Sequence, residues 1–279
     1  MIQIIQHIAS QLQAAYPADE AEALAWWIVE EETGLNRTQL QFGCKDTTFS
    51  PHMQEIIARL LHFEPIQYIF GHTLWHGLDL RVTPATLIPR PETAELVEKL
   101  STFRVLSSTT PVRVLDIGTG SGCIAIALKK MHPDWQITGI DISEEALAVA
   151  RDNAQRNEVD VTFEHGDIFS ESIGRKRSYD IVVSNPPYIC EHEKKAMRPN
   201  VLDYEPAIAL FVPDADPLLF YRRIASLQLG SHLFFEINET YAAEMEMMLR
   251  QEGYETIRVD KDMYGKARIV SAHLPIRSF

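Results

Sequence analysis

Four consecutive residues, Asn185, Pro186, Pro187 and Tyr188, have the types and the order needed to hold a planar NH₂ group. The side-chain oxygen of Asn185 can accept one N–H, and the carbonyl of Pro186 can accept a second. Neither proline has a backbone N–H and each fixes its own φ, so the segment is stiff, and Tyr188 can stack on the plane of the group. Two acceptors on one NH₂ group would localise the nitrogen lone pair for attack on an electrophile. The alternative is that the four residues form only a surface turn.

A glycine-rich segment at residues 116–122, Asp-Ile-Gly-Thr-Gly-Ser-Gly, predicts a second binding site. Glycines between a strand and the helix that follows let the backbone approach a ligand closely at the helix N-terminus. This spacing occurs in dinucleotide sites and in S-adenosylmethionine sites, so it does not choose between the two. The candidate contacts in the segment are Asp116, Gly118, Thr119, Gly120, Ser121 and Gly122.

Three aspartates favour S-adenosylmethionine over a dinucleotide at this site. Asp116 directly precedes the glycines, where a carboxylate would repel a pyrophosphate but attract a sulfonium or ammonium group. Asp141 ends the next predicted strand, where its two oxygens can accept hydrogen bonds from both ribose hydroxyls. Asp167 follows a third strand and can accept an adenine amino proton, while Ile168 can cover the ring. The alternative is that each aspartate only caps a loop.

The elements that must position these residues alternate between strand and helix. Strands are predicted at 112–117, 136–140, 160–164, 179–183, 232–237, 254–259 and 267–273, and helices at 121–131, 144–157, 216–228 and 240–251. Such alternation is typical of an α/β fold with a mostly parallel sheet covered on both faces. The last two strands join without a helix, so one of them should run antiparallel. Because ligands of such sheets bind at the carboxyl ends of the strands, the two candidate sites should meet at one rim.

The region before this alternation has a different character. Residues 1–72 show only helical periodicity, which predicts a helical N-terminal domain. Alternation then begins at Leu74 and His76 and predicts a β-hairpin linker over residues 73–90. Residues 91–279 form the predicted α/β domain. We expect the helical domain to recognise a partner, since it contains no catalytic constellation.

Composition narrows the class of protein. The chain has 279 residues, 46% hydrophobic and 23% charged, with a net charge of −13, which opposes strong non-specific nucleic-acid binding and favours a cationic ligand or a basic protein partner. No apolar run is long enough to span a membrane. Cys44, Cys123 and Cys190 lie far apart without a metal-binding spacing. We therefore expect a cytoplasmic protein with free thiols and no metal.

The motifs together resemble the class I S-adenosylmethionine-dependent methyltransferases, through residues 116–122, Asp141, 166–169 and 185–188. A narrower resemblance is to the protein-(glutamine-N5) methyltransferases that modify peptide chain release factors, the HemK/PrmC type. It is carried by residues 87–93 (Leu-Ile-Pro-Arg-Pro-Glu-Thr), 185–189, 204–206 with 209–210, and 261–262 with Gly265 and Arg268. The resemblance covers nearly the whole chain, the helical domain included.

This resemblance implies a seven-stranded Rossmann-like domain that uses S-adenosylmethionine and acts on class I peptide chain release factors. The substrate would be the glutamine of their Gly-Gly-Gln motif. Asn185 and the Pro186 carbonyl would hold the glutamine amide, while Pro187 and Tyr188 would shape the slot. Residues 118–122, Asp141 and Ile168 would hold the methyl donor, and Asn185 would border both groups. Transfer would be direct, without a metal or a covalent enzyme intermediate.

Two alternatives remain at this point. Asn-Pro-Pro-Tyr also occurs in enzymes that methylate adenine or guanine amino groups in nucleic acid, although the acidic charge argues against that substrate. The second alternative is a non-catalytic protein on the same scaffold.

The chain also departs from the family pattern near the cleft. The departures are Ala94, residues 211–217, Asn238 and Thr240.

Overall fold

The computed structural model describes residues 2–42, 48–104, 111–171 and 178–275, and Cys44 therefore lies outside the described residues. The chain divides into two compact units. One comprises Met1–Phe70 with Arg198–Tyr204, and the other comprises Gly71–Met197 with Glu205–Phe279.

The first unit is helical throughout its described residues. Its helices are α1 (Ile2–Leu12), α2 (Ala18–Thr33), α3 (Arg37–Phe42), α4 (Pro51–Leu61) and α5 (Ile66–Phe70). Side chains cap two of them. Ser50 Oγ accepts from the Met53 N–H at 3.0 Å at the start of α4. Asn36 Oδ1 accepts from the Gln39 N–H at 3.0 Å, and Gln39 reciprocates, at the start of α3.

The core of this unit is apolar, and a later part of the chain joins it. Ile8, Leu12 and Ile28 are fully buried in one cluster. Residues 198–204, which contain the short helix α9 (Pro199–Leu202), also belong to this unit. Within it, Arg198 forms an ion pair with Glu20 at 2.8 Å. The helical unit therefore contains a segment, residues 198–204, that the sequence-based prediction of the N-terminal domain did not include.

The second unit is built on a seven-stranded sheet. Its strands are β3 (Arg113–Ile117), β4 (Gln136–Asp141), β5 (Thr162–His165), β6 (Tyr179–Ser184), β9 (Gly230–Glu236), β10 (Glu255–Lys261) and β11 (Ala267–His273). Their order is β10-β11-β9-β6-β3-β4-β5. β11 pairs antiparallel with both neighbours, and the other pairs are parallel. The predicted mostly parallel sheet with one reversed strand is confirmed.

Helices cover both faces of this sheet. They are α6 (Pro91–Ser101), α7 (Cys123–Met131), α8 (Glu144–Arg156), α10 (Leu219–Leu227) and α11 (Ala242–Gln251). Apolar residues of α6, α7 and α8 pack with strand residues in one buried cluster, and those of α10 and α11 pack in a second. The start of α7 differs from the sequence-based prediction of Ser121. Gly122 has φ +80° and precedes the helix, so the ligand-facing loop is two residues longer than predicted.

The predicted hairpin is present, but the side chains that alternate between buried and exposed are not those that the sequence predicts. β1 (His72–Trp75) pairs with β2 (Leu78–Arg81), and His76 and Gly77 form a two-residue turn with positive φ at both positions. The turn interrupts the alternation that continued through His76 in the sequence. As a result Trp75 and Leu78 are buried, while Leu74 is 78% exposed.

Short elements near the strand ends were not predicted from the sequence. β7 (Ile189–Cys190) pairs in parallel with β8 (Phe211–Val212), and a 3-10 helix follows at Glu191–Ala196. These elements hold the chain that leaves the Asn-Pro-Pro-Tyr segment. In the described part of the chain, no helix combines the length and the apolar character needed to cross a bilayer.

Candidate active site

The glycine-rich loop joins β3 to α7 and bends sharply over the end of β4. Gly118, Gly120 and Gly122 have φ of +69°, +55° and +80°, a region that side chains other than glycine rarely adopt. The N–H groups of Gly118 and Thr119 both donate to the Ile140 carbonyl, at 2.9 and 3.0 Å. A Cβ added at Gly118 would meet no atom within 4 Å, so its open side faces free space. The loop thus exposes its backbone to a ligand.

Asp141, at the end of β4, connects this loop to the chain that follows. Its Oδ2 accepts from the Gly120 N–H at 2.8 Å, and its Oδ1 accepts from the Ser143 N–H at 3.0 Å. Each carboxylate oxygen has a second lone pair that can accept another donor. Asp141 can therefore stabilise the loop and still bind a pair of hydroxyls, as the sequence predicted for a ribose.

Asp116 lies below the loop and does not line the cavity. Its side chain is fully buried, and its Oδ2 accepts from the Thr119 hydroxyl at 2.7 Å. Its Oδ1 has no hydrogen-bond partner among the described residues. Burial raises the pKa of the Asp116 carboxyl to about 7, the Thr119 hydrogen bond opposes this, and the charge of Asp141 adds to it. Asp116 therefore supports the loop through Thr119, and its attraction of a cationic ligand stays a prediction.

The third strand end provides an apolar and a polar contact side by side. Asp167 Oδ1 accepts from the Phe169 N–H at 2.8 Å and so shapes the turn after β5. Ile168 is 8% exposed and its carbonyl accepts from Arg223 Nε at 2.6 Å. Phe169 is 44% exposed. Asp167, Ile168 and Phe169 all line the same cavity as Asp141, which suits a flat ring.

The Asn-Pro-Pro-Tyr segment follows β6 in the centre of the sheet. Ser184 pairs with Ile117 of β3, so Asn185 begins where the glycine-rich loop begins on the neighbouring strand. Asn185, Pro186 and Pro187 line the cavity. Among the described residues, no hydrogen bond reaches the Pro186 carbonyl or the Asn185 side-chain oxygen. Both acceptors predicted from the sequence are therefore available at the same rim as Asp141.

Tyr188 has a different environment from the one predicted. It does not line the cavity, and its hydroxyl donates to Glu236 Oε1 at 3.1 Å. Burial, together with the charge of Glu236, raises the pKa of the Tyr188 phenol, so the hydroxyl keeps its proton. The Asn238 amide contacts the Tyr188 carbonyl at 3.4 Å. The Tyr188 hydroxyl is thus engaged with Glu236, and stacking of its ring on a bound group stays a prediction.

A buried polar network continues from Tyr188 to Asn185. Thr93 Oγ1 donates to Glu236 Oε2 at 2.7 Å, and Asn185 Nδ2 donates to Thr93 Oγ1 at 3.2 Å. Thr93 and Glu236 are 2% and 1% exposed. Burial raises the pKa of the Glu236 carboxyl, and the hydrogen bonds from Thr93 and Tyr188 and the charge of Arg268 counteract that rise. Sequence reasoning missed Thr93 and Glu236 as site residues.

The Leu-Ile-Pro-Arg-Pro-Glu-Thr segment forms one wall of the cavity through Leu87, Pro89, Arg90 and Thr93. The carboxylate of Glu205, fully buried, fixes this wall. It accepts from Arg90 at 2.6 Å and from the Ile88 N–H at 3.2 Å. The sequence alone assigns no role to Glu205, although this residue lies in the Tyr-Glu-Pro motif at residues 204–206.

The cavity formed by these elements has a volume of about 320 Å³. Of the predicted site residues, those that line it are Gly118, Thr119, Gly120, Ser121, Asp141, Asp167, Ile168, Asn185, Pro186 and Pro187. Asp116, Gly122 and Tyr188 do not line it. A Cβ at Gly122 would approach Ile126 and Phe163 to 3.0 and 3.2 Å, so that glycine serves packing.

Beyond the cavity, Cys190, His192 and Asp214 bring one potential metal ligand each to within 4.8 Å of one another. Hydrogen bonds already engage them. His192 Nδ1 lies 2.8 Å from Asp214 Oδ1, and Cys190 Sγ lies 3.3 Å from the Tyr241 hydroxyl. Burial raises the pKa of the Cys190 thiol, which disfavours the thiolate that binds metals. The contact between His192 and Asp214 joins residues 211–217 to the chain after Tyr188.

Comparison with known proteins identifies relatives of both parts of the chain. Residues 94–203 match the family model described as methyltransferase small domain, and residues 3–71 match that of the PrmC N-terminal domain. A release factor glutamine methyltransferase of Bacteroides thetaiotaomicron is 47% identical, covering 98% of this chain and 100% of that protein. A release factor glutamine methyltransferase of Flavobacterium psychrophilum is 39% identical, covering 97% of this chain and 96% of that protein.

A solved structure extends the comparison to the fold. The crystal structure of a methyltransferase from Pyrococcus furiosus superimposes with a TM-score of 0.51 at 20% sequence identity. The match covers 78% of this chain and 98% of that chain. The sheet order and the covering helices described above are therefore those of a known methyltransferase architecture.

Proposed function

The chain belongs to the release factor glutamine methyltransferase family, and from this premise we propose its substrates and the roles of its residues. It transfers a methyl group from S-adenosylmethionine to the side-chain amide nitrogen of the glutamine in the Gly-Gly-Gln motif of class I peptide chain release factors. We expect this reaction in the cytoplasm, without nucleic acid as a direct substrate. The free thiols of Cys123 and Cys190 are compatible with a reducing compartment.

One observation carries the proposal. Asn185 and Pro186 line the same cavity as Asp141 and the glycine-rich loop, and no described residue donates to Asn185 Oδ1 or to the Pro186 carbonyl. The cavity therefore has one side suited to an NH₂ group and another suited to a nucleoside. A glutamine carboxamide has two N–H donors, which matches the two acceptors in number.

The cavity also fits S-adenosylmethionine. The open sides of Gly118 and Gly120 leave room for the backbone to contact it, Asp141 retains acceptor capacity for ribose hydroxyls, and Ile168 offers an apolar surface to adenine. When bound, S-adenosylmethionine supplies a methyl group on a positively charged sulfur. The carboxylates of Asp141 and Asp167 favour that charge.

The chain's own contribution is alignment of a poor nucleophile. An amide nitrogen is weakly nucleophilic because its lone pair is delocalised into the carbonyl. Asn185 Oδ1 and the Pro186 carbonyl each accept one N–H, hold the nitrogen in the cavity and oppose that delocalisation. Neither group titrates near neutral pH, so neither removes the proton, which is lost to water after transfer. Alignment of this kind can contribute roughly 7–11 kcal/mol to catalysis.

Mass mapping of the product tests the proposed function. The purified protein is incubated with labelled S-adenosylmethionine and release factor, and in parallel with RNA and with DNA. We expect one added methyl group on the glutamine of the Gly-Gly-Gln motif and no label in either nucleic acid. Label in RNA or DNA alone would instead support the amino-methyltransferase alternative, and no label in any arm would support a non-catalytic protein.

Asp141 provides a separate test of the cofactor site. Asp141→Ala should raise the dissociation constant for S-adenosylmethionine by about 10- to 100-fold, because ribose acceptors and the support of Gly120 are lost together. Titration calorimetry measures this constant. Asp160→Ala is the matched control, since Asp160 is exposed just before β5, at the opposite end of the sheet. An unchanged dissociation constant in Asp141→Ala would remove Asp141 from the cofactor site.

We also propose that the helical unit docks the release factor. Residues 1–70 contain nine acidic and three basic residues, so this part of the chain is strongly acidic. A segment that works against ribosomal RNA is expected to have basic flanks, which an acidic surface complements. Glu30 and Glu31, at the end of α2, are partly or fully exposed members of this set. Glu32 is engaged by Ser50 and His52.

Charge reversal at the end of α2 tests this docking role. Glu30→Lys/Glu31→Lys should raise KM for release factor by about 5- to 10-fold and leave kcat unchanged, with the difference shrinking at high salt. Lysine is tolerated at a helix C-terminus, so the fold should persist. The control is Asp134→Lys/Glu255→Lys, at exposed positions where β4 and β10 begin. Equal effects of the two double variants would count against a local docking surface.

A further inference from the structure

The buried network behind Asn185 has a defined direction of hydrogen bonding. Thr93 and Tyr188 both donate to Glu236, whose two carboxyl oxygens accept one hydrogen bond each. The Thr93 hydroxyl has a single proton, which is used in this bond. Thr93 Oγ1 can therefore only accept from Asn185, and the group that Asn185 presents to it must be the NH₂.

This direction determines how the Asn185 carboxamide is turned. If its NH₂ faces Thr93, then its oxygen faces the cavity, where no described residue donates to it. A carboxamide turned the other way would present NH₂ to the substrate NH₂ and would leave Thr93 Oγ1 without a donor. Buried polar groups without partners are costly, so one orientation is strongly preferred.

We propose that Thr93 and Glu236 are positioning residues that orient Asn185, and that Tyr188 acts with them through Glu236. The inference deepens the proposed function, on which it rests, by naming the groups that set the orientation of the Asn185 acceptor. It also gives a role to the Tyr188 hydroxyl, although Tyr188 does not line the cavity. Three parts of the chain, α6, the end of β6 and the end of β9, meet in this network.

The geometry favours positioning over simple packing. Asn185 and Thr93 are 92 residues apart, and Thr93 and Glu236 are 143 apart, so the network joins elements that no local turn connects. Burial raises the pKa of the Glu236 carboxyl, while the hydrogen bonds donated by Thr93 and Tyr188 lower it. Arg268 and Glu92 are the other charged groups whose fields act on it.

The test compares matched substitutions in the full-length protein. Thr93→Val keeps the shape but removes the acceptor and donor, and Thr93→Ser keeps both. Thr93→Val should lower kcat for release factor about 10-fold with unchanged S-adenosylmethionine affinity, whereas Thr93→Ser should stay close to wild type. Glu236→Gln replaces one accepting oxygen by an NH₂ donor and should also lower kcat for release factor about 10-fold. Because the two residues act in one network, the kcat of the Thr93→Val/Glu236→Gln variant should be only slightly lower than that of either single variant.

A spectroscopic measurement separates this inference from the proposed function. The side-chain NH₂ resonance of Asn185, identified by its absence in Asn185→Asp, should be protected from exchange in wild type and Thr93→Ser but not in Thr93→Val. This readout needs no release factor. Inactive wild-type protein with that protection pattern would overturn the proposed function alone. The positioning role would be overturned if the wild type is active and Thr93→Val keeps the full kcat and the protected Asn185 resonance of the wild type. It would also be overturned if Thr93→Ser lost as much kcat as Thr93→Val.

Discussion

Asn185→Ala is expected to lower kcat for release factor methylation by about 10²- to 10³-fold, the usual effect of removing one preorganised hydrogen-bonding group from a reacting centre. The reason is that Asn185 lines the cavity and no described residue donates to its Oδ1, which leaves that oxygen free for the substrate. Without it the substrate NH₂ is held only by the Pro186 carbonyl and can rotate away from the methyl donor. Single-turnover kinetics at saturating S-adenosylmethionine measure the effect on the chemical step.

The same variant should bind S-adenosylmethionine nearly as well as wild type. The Asp141 hydrogen bonds and the loop around Gly120 do not involve Asn185. Asp141→Ala should show the opposite pattern, with weakened binding and a smaller loss in kcat at saturation. Equal losses of turnover and of cofactor affinity in Asn185→Ala would contradict the assignment of Asn185 to the substrate amide.

The stability of the protein should fall as pH rises through the titration of Asp116. Its folded pKa of about 7 lies above the ordinary value of 3.8, so the folded state holds a proton that the unfolded state has released. This contribution is fully present below the unfolded pKa and is lost as pH rises towards the folded pKa. At about 1.4 kcal/mol per unit, the expected loss is on the order of 4 kcal/mol.

Asp116→Asn isolates this effect, because asparagine has a similar shape and does not titrate. Urea unfolding of both proteins at several values between about pH 4 and pH 8 gives the difference in free energy of unfolding at each pH. Wild type should lose stability relative to Asp116→Asn as pH rises, and other titrating groups cancel in the difference. A difference that is independent of pH would show that the Asp116 carboxyl is ionised throughout.

Much of the site followed from local sequence patterns. The glycine loop, Asp141, Asp167 and the Asn-Pro-Pro-Tyr segment each lie at or just beyond the end of a strand that its own apolar residues predict. In a parallel sheet the carboxyl ends of strands meet at one rim, so residues distant in sequence could be predicted to be neighbours. The departures came from the environment of individual side chains. Asp116 and Tyr188 do not line the cavity, and they form hydrogen bonds with Thr119 and Glu236 instead.

On its own, the amino-acid sequence determined the class of fold, the rim where the site lies and the acceptors on it, because strand periodicity, glycine conformation and proline chemistry are local properties. The partners of buried polar groups were decided only by the tertiary structure. Thr93, Asn185 and Glu236 meet through the packing of α6, β6 and β9, and no spacing in the chain encodes that meeting. Likewise, residues 198–204 belong to the helical unit, although the residues on both sides of them in the sequence belong to the α/β unit. Each of these contacts depends on long-range packing, which summed local preferences do not specify.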